Sequence, residues 1–192
     1  MNRTLIIVAA VALSATGPVF AQIQPVKPIP RPVPTPRFTP KVLPTLKTCR
    51  VDPAIASVTL TKGSKPRQVQ IAYRVVNRGA TAWVSGANQQ NVNLTAHNAN
   101  TNSYYRNTQR LTGNAAAGAT MLSWTSPFID NAFDDFEFAG DLTVQIGYDP
   151  DILLDSNTCN DDVNSANNRV TIDNGAILGF LKGTARSKTF TF

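Results

Sequence analysis

The sequence is poor in the residues on which most enzymes depend. Its 192 residues include one histidine, His97, and two cysteines, Cys49 and Cys159. No Gly-x-Ser-x-Gly surrounds a serine, so a nucleophile elbow is absent. Neither a Gly-rich phosphate loop nor His-Glu-x-x-His occurs. A lone histidine beside an Asn-rich turn reads as a polar surface residue rather than a general base. Without Cys-x-x-Cys, the two thiols do not form a zinc or redox motif. These absences exclude the motif-bearing hydrolases, kinases and zinc peptidases, and the sequence predicts a non-enzyme.

Long apolar runs are also scarce. The longest is Leu5 to Leu13, nine residues behind the basic start Met1-Asn2-Arg3. A spanning helix needs about 20. Gly17-Pro18 breaks the run and Ala21 supplies a small residue. This three-part pattern predicts a signal peptide over 1–21, hence an exported protein, periplasmic or extracellular. No second apolar stretch follows, so no transmembrane segment is expected in the mature chain. In an oxidising compartment the simplest state of an isolated cysteine pair is a disulfide, Cys49 to Cys159.

Acidic residues are missing from 22–50. That stretch holds Lys27, Arg31, Arg37, Lys41, Lys47 and Arg50, and eight of the thirteen prolines. From Pro28 to Pro36 every second residue is proline. Proline fixes φ and pushes its predecessor into extended geometry. A stiff polyproline II linker is expected over 22–48. It is either a solvated spacer or a basic arm that rests on anionic lipid, cell-wall polymer or an acidic partner.

The net charge of +6 therefore belongs to the N-terminal part. From Val51 onward there are 11 basic and 12 acidic residues, a net of −1. Nucleic-acid binding is disfavoured, because the folded part lacks a basic footprint. Within it the charges segregate. Pro53 to Ile129 holds seven basic residues and no acid; Asp130 to Asp162 holds ten acids and no base.

Past Cys49 the apolar residues recur with period two. Arg67 to Asn77, Asn91 to Ala96, Asp141 to Tyr148, Arg169 to Ile172 and Thr189 to Phe192 all alternate. Gly, Asn, Asp and Pro clusters separate them. Short strands at this spacing predict an all-β fold, an antiparallel β-sandwich over 49–192. Asn131 to Phe138 is expected to be a loop or helical turn that drops phenyl rings onto the core. Ala176 to Leu181 reads as a strand or a short helix laid across one end of the sandwich.

Val75-Val76-Asn77-Arg78-Gly79-Ala80-Thr81-Ala82 resembles the V-x-N-x-G strand and turn of bacterial CARDB-type (cell-adhesion-related) immunoglobulin-like modules. Asp155-Ser156-Asn157 and Asn167-Asn168-Arg169-Val170-Thr171-Ile172 are similar to the loop and last strand of that family. The resemblance covers Val51 to Ile172. It implies a seven-strand sandwich of immunoglobulin or fibronectin III kind in an exported, surface-associated protein. The long segment from Trp83 to Phe138 and some 20 residues after Ile172 depart from it. The family is an architecture, so it implies no catalytic residue.

Three chemistries remain open. Asp149, Asp151, Asp155, Asp161 and Asp162 offer hard oxygen ligands that could suit Ca²⁺, though no helix-loop-helix spacing is present. Asp and Asn equally favour turns, because they bond nearby backbone. The paired carboxylates Asp134-Asp135-x-Glu137 and Asp161-Asp162 could serve a small secreted hydrolase. Trp83 and Trp124, with Tyr104 and Tyr105, could build a sugar platform, although core positions suit both tryptophans better. The sequence thus predicts an interaction or adhesion-type module of the bacterial cell envelope. Its partner is a protein or an envelope polymer, and no cofactor is required. A carbohydrate-binding or calcium-supported module is the alternative.

Overall fold

A computed structural model describes residues 49–86 and 88–192, the side chains of Pro150 and Asp151 excepted. The signal peptide and linker expected over 1–21 and 22–48 lie outside the described residues.

The elements are β1 (Pro53–Lys62), β2 (Val69–Asn77), β3 (Trp83–Val84), β4 (Gln90–Asn98), β5 (Ser103–Arg110), β6 (Asn114–Ala115), β7 (Thr120–Thr125), β8 (Asp141–Tyr148), β9 (Arg169–Ile172), α1 (Asn174–Lys182) and β10 (Ser187–Thr191). Two four-stranded sheets form, ordered β10-β1-β2-β7 and β5-β4-β8-β9, with β3-β6 as a small ribbon. Pairing within each is antiparallel. The all-β expectation holds, and the alternating stretches fall on β2, β4, β8, β9 and β10.

The core arises from the alternation. Val58, Leu60, Ile71 and Val75 of one sheet and Val92, Leu94, Leu142 and Val144 of the other join one buried cluster. Each such side chain contributes about 1.5–3 kcal/mol on leaving water. Trp83 is fully buried there, whereas Trp124 is half-buried against Tyr73, ring centroids 5.4 Å apart. Burial pushes the Tyr73 phenol well above its usual range. A bulge at Ala56 shifts the register between β1 and β2.

The V-x-N-x-G stretch has a clear physical role. Asn77 is fully buried at the end of β2. Its Oδ1 accepts from the amides of Asp52 (3.2 Å) and Gly79 (3.0 Å). Its Nδ2 donates to the carbonyls of Thr81 (2.8 Å), Ala115 (3.2 Å) and Ala116 (3.3 Å). One amide thus ties the β1 start, the β2 turn and β6 together. Gly79 passes so close to the chain at Arg50 and Val51 that a Cβ would lie 2.2 Å from the Arg50 carbonyl oxygen.

The expected disulfide forms between Cys49 and Cys159, 110 residues apart, with Cα atoms separated by 4.8 Å. Ala176 to Leu181 resolves as helix α1. Asp173 caps it by accepting from the Ala176 amide, and Ile177 and Phe180 face the core.

Candidate functional site

Strand β8 runs between the two ends of the sandwich. Eight residues at about 3.3 Å each separate them by roughly 26 Å. The disulfide end, after Tyr148, contains the predicted metal residues. The other end, before Asp141, carries the phenylalanines.

At the disulfide end the Asp/Asn run folds by local bonds. Asp155 Oδ1 accepts from the Asn157 amide, Asn157 Oδ1 from the Cys159 amide, and Asp162 Oδ1 from the Asn164 amide. Each is an Asx turn, a side chain binding the backbone two residues ahead. Asn160 Nδ2 (2.7 Å) and Gln89 Nε2 (3.1 Å) complete Asp155 Oδ2. These bonds, Asn160 first, hold the Asp155 carboxyl below its usual range. Asp162 Oδ2 accepts from Asn168 Nδ2 (2.6 Å) and the Tyr148 hydroxyl (3.1 Å). Burial and the Asp162 charge push that phenol far up.

Asp161 differs. Its Oδ1 is buried without a partner, and burial together with the Asp155 charge raises its carboxyl above the usual range. Asn160 Oδ1 and Asn167 Oδ1 are likewise buried and unpartnered. The Asp149 amide donates to the Gln89 carbonyl and so extends the β4–β8 pairing by one residue. The Asp151 side chain lies outside the described residues. The structure therefore gives Asp155, Asp161 and Asp162 separate surroundings. Among the described residues no group of three His, Cys, Asp or Glu side chains is arranged to hold a metal ion. Tyr148, Ile152, Leu153, Asp162 and Asn168 line a pocket of about 270 Å³ beside them, with Leu153 and Leu154 exposed nearby.

The opposite end departs from expectation. Of the three phenylalanines in 131–138, only Phe133 enters the core. Phe136 and Phe138 point outward, 77% and 60% exposed. The loop that carries them is pinned at both sides. Asp134, almost fully buried, accepts from the Phe136 amide (3.0 Å), and its own amide donates to the Ala139 carbonyl (3.0 Å). The Ala139 amide donates to Asn174 Oδ1 at the start of α1 (2.6 Å). Gly140 (φ +105°) then passes the His97 carbonyl so closely that a Cβ would lie 1.7 Å away. Arg67 braces the outside, 2.7 Å from Asp135 and 3.9 Å from Asp134.

Phe136, Glu137 and Phe138 face Ala99 and Asn100 of the β4–β5 turn across a cleft of about 340 Å³. Glu137 is exposed and has no ion-pair partner among the described residues. Composition alone does not reveal this site, since phenylalanine ordinarily signals core. The legible hint is the alternation of Phe136 and Phe138 with Asp135 and Glu137.

The remaining candidates are dispersed. His97 stacks on Tyr104 (centroids 4.5 Å, 9° between planes), with its Nδ1 3.1 Å from Asp141 Oδ1. The Arg106 guanidinium also lies over Tyr104, 4.6 Å from the ring centre. Trp83 and Trp124 lie elsewhere, so the four aromatics do not share one face. Asp134 and Asp135 are both engaged by Arg67. The chain was compared with protein-family models, curated proteins and solved structures, and none matches.

Proposed function

We propose that this protein is an exported, non-catalytic interaction or adhesion-type module of the bacterial cell envelope, held on a basic Pro-rich linker. One observation carries the reading: two exposed phenyl rings on a loop pinned at both sides, over a cleft, beside an unpaired carboxylate. Exposed apolar area of this kind marks binding surfaces. A loop fixed by a rigid scaffold presents them without ordering on contact. The pocket at the disulfide end is second choice, since Tyr148, Asp162 and Asn168 there bond one another.

Export is supported by the N-terminal pattern and by the disulfide, a bond that persists in oxidising compartments. The immunoglobulin or fibronectin III-like, CARDB-type reading is supported by connectivity. Strands β1, β2 and β7 share one sheet, and β4, β5, β8 and β9 share the other, as in a Greek-key sandwich. Asn77 and Gly79, the residues that carry the resemblance, lock its first turn. A carbohydrate-binding role has weaker support, because the Tyr104 ring is already occupied by His97 and Arg106. For calcium, the support is limited to the buried unpartnered oxygens of Asn160 and Asp161.

Photo-crosslinking in the producing cell tests the reading. A benzophenone side chain at position 137 is expected to yield discrete adducts, and one at Thr120, exposed on the other sheet where β7 pairs with the end of β2, none. Equal labelling from both positions, or none from either, would refute it.

A further inference from the structure

The cleft at the Phe end combines three properties that together specify a partner class. Its apolar wall is two flat rings, Phe136 and Phe138, largely exposed. Its charge is negative through Glu137, which lines it without an ion-pair partner among the described residues, whereas Asp134 and Asp135 beside it are answered by Arg67. Its opposite wall, Asn100, offers an amide that can bond exposed main-chain carbonyls. The cleft is built between two turns and not between sheet edges, so a partner does not enter it by strand addition.

Flat rings of proline pack well on flat aromatic rings. A chain already fixed in polyproline II geometry loses little freedom on docking, and its solvated carbonyls remain available to donors. A carboxylate between the rings selects a cationic neighbour. We infer that the Phe136–Phe138 cleft binds an extended, proline-rich segment that carries lysine or arginine. This rests on the interaction-module reading and narrows it to one class of partner. The chain's own sequence contains that chemistry. Residues 25–41 hold seven prolines with Lys27, Arg31, Arg37 and Lys41, and no acid.

A labelled synthetic peptide of residues 25–41 is the probe, titrated by fluorescence anisotropy against the purified chain. A second form of the chain, with prolines 28 to 36 changed to serine, removes competition from its own segment. Saturable binding is expected. F136A/F138A weakens it about tenfold or more, with an unchanged melting temperature showing that the fold survives. Replacing the peptide's prolines with alanine weakens it similarly. E137Q weakens it less and flattens its salt dependence. No saturation by about 1 mM with either form overturns the inference. So does binding that survives F136A/F138A, or a proline-free peptide that binds equally well. Crosslinking from position 137 is independent of the peptide. If adducts persist while the peptide fails, only the partner class falls; if adducts vanish too, the module reading falls with it.

Discussion

The two ends of this sandwich use the same residue types for opposite purposes. At the disulfide end most Asp and Asn side chains bond nearby backbone and one another, the buried oxygens of Asn160, Asp161 and Asn167 excepted, and the result is closure. At the Phe end one Asp, Asp134, bonds nearby backbone in the same way, yet what it holds up is exposed. Both ends contain Asx turns: Asp155 on Asn157 at one, Asp134 on Phe136 at the other. They differ in the residues just beyond the turn. After Asp155 comes Cys159 and a covalent bond to Cys49. After Asp134 come phenyl rings in solvent. A local device that rigidifies the backbone can therefore serve stability or display, depending on its neighbours.

With labour divided in this way, stability and binding should separate by end. The largest effect should come from the disulfide. C49S/C159S should cost about 4–5 kcal/mol by the loop-entropy estimate, read as a lower denaturation midpoint, while leaving crosslinking at position 137 intact in the folded fraction. Next is N77A, which leaves buried amides and carbonyls without partners. It should cost on the order of 3 kcal/mol by thermal or urea unfolding. If N77A is nearly neutral, the turn is held by something other than that amide. Third, F136S/F138S should change stability by less than about 0.5 kcal/mol, because exposed rings contribute little to folding, while removing the binding signal. A large loss of stability would place those rings in the core and erase the contrast between the ends.

The smallest effect is the sharpest, because it has a sign. The Asp161 carboxyl is raised in the fold, so the unfolded chain ionises first as pH rises. Its ionisation removes stability above the ordinary Asp range of about 4. D161N should therefore raise the melting temperature slightly at pH 7 and leave it unchanged near pH 3. The Asp155 carboxyl is lowered, so its contribution is present above that range and is lost on acidification. D155N should lower the melting temperature at neutral pH, and the difference should close as pH falls. Equal signs for the two variants would mean that the two carboxylates do not occupy distinct environments.

Much of the fold is legible in the sequence because one face of most strands is buried. Val69, Ile71, Tyr73 and Val75 announce β2, and Leu142, Val144 and Ile146 announce β8. β5 does not show, since it is an edge strand with no fully buried residue. Its sequence, Ser103 to Arg110, is polar on both sides. β1 is hidden by its alanines, Ala54 and Ala56, which bury without standing out in an apolar pattern. In the Asp/Asn run the composition shows that turn chemistry competes with metal chemistry. Which oxygens are consumed depends on Gln89, Tyr148 and Asn168, and Gln89 is distant in sequence. The Phe end defeats sequence reasoning for a similar reason. Aromatic content signals burial on average, but Asp134, Asn174 and the glycine at 140 turn two rings outward.

The Cys49–Cys159 bond has a mechanical consequence. Cys49 is where the Pro-rich segment joins the sandwich, so any tension applied along that segment reaches the fold there first. The disulfide passes the load sideways to the loop at Cys159, whose carbonyl accepts from the Val84 amide. The hydrogen bonds at the beginning of β1 are thus not the first to be pulled in sequence. A chain anchored through its N-terminal arm would resist being unzipped from the point of attachment. Its extension under force should lengthen markedly once that single covalent link is reduced.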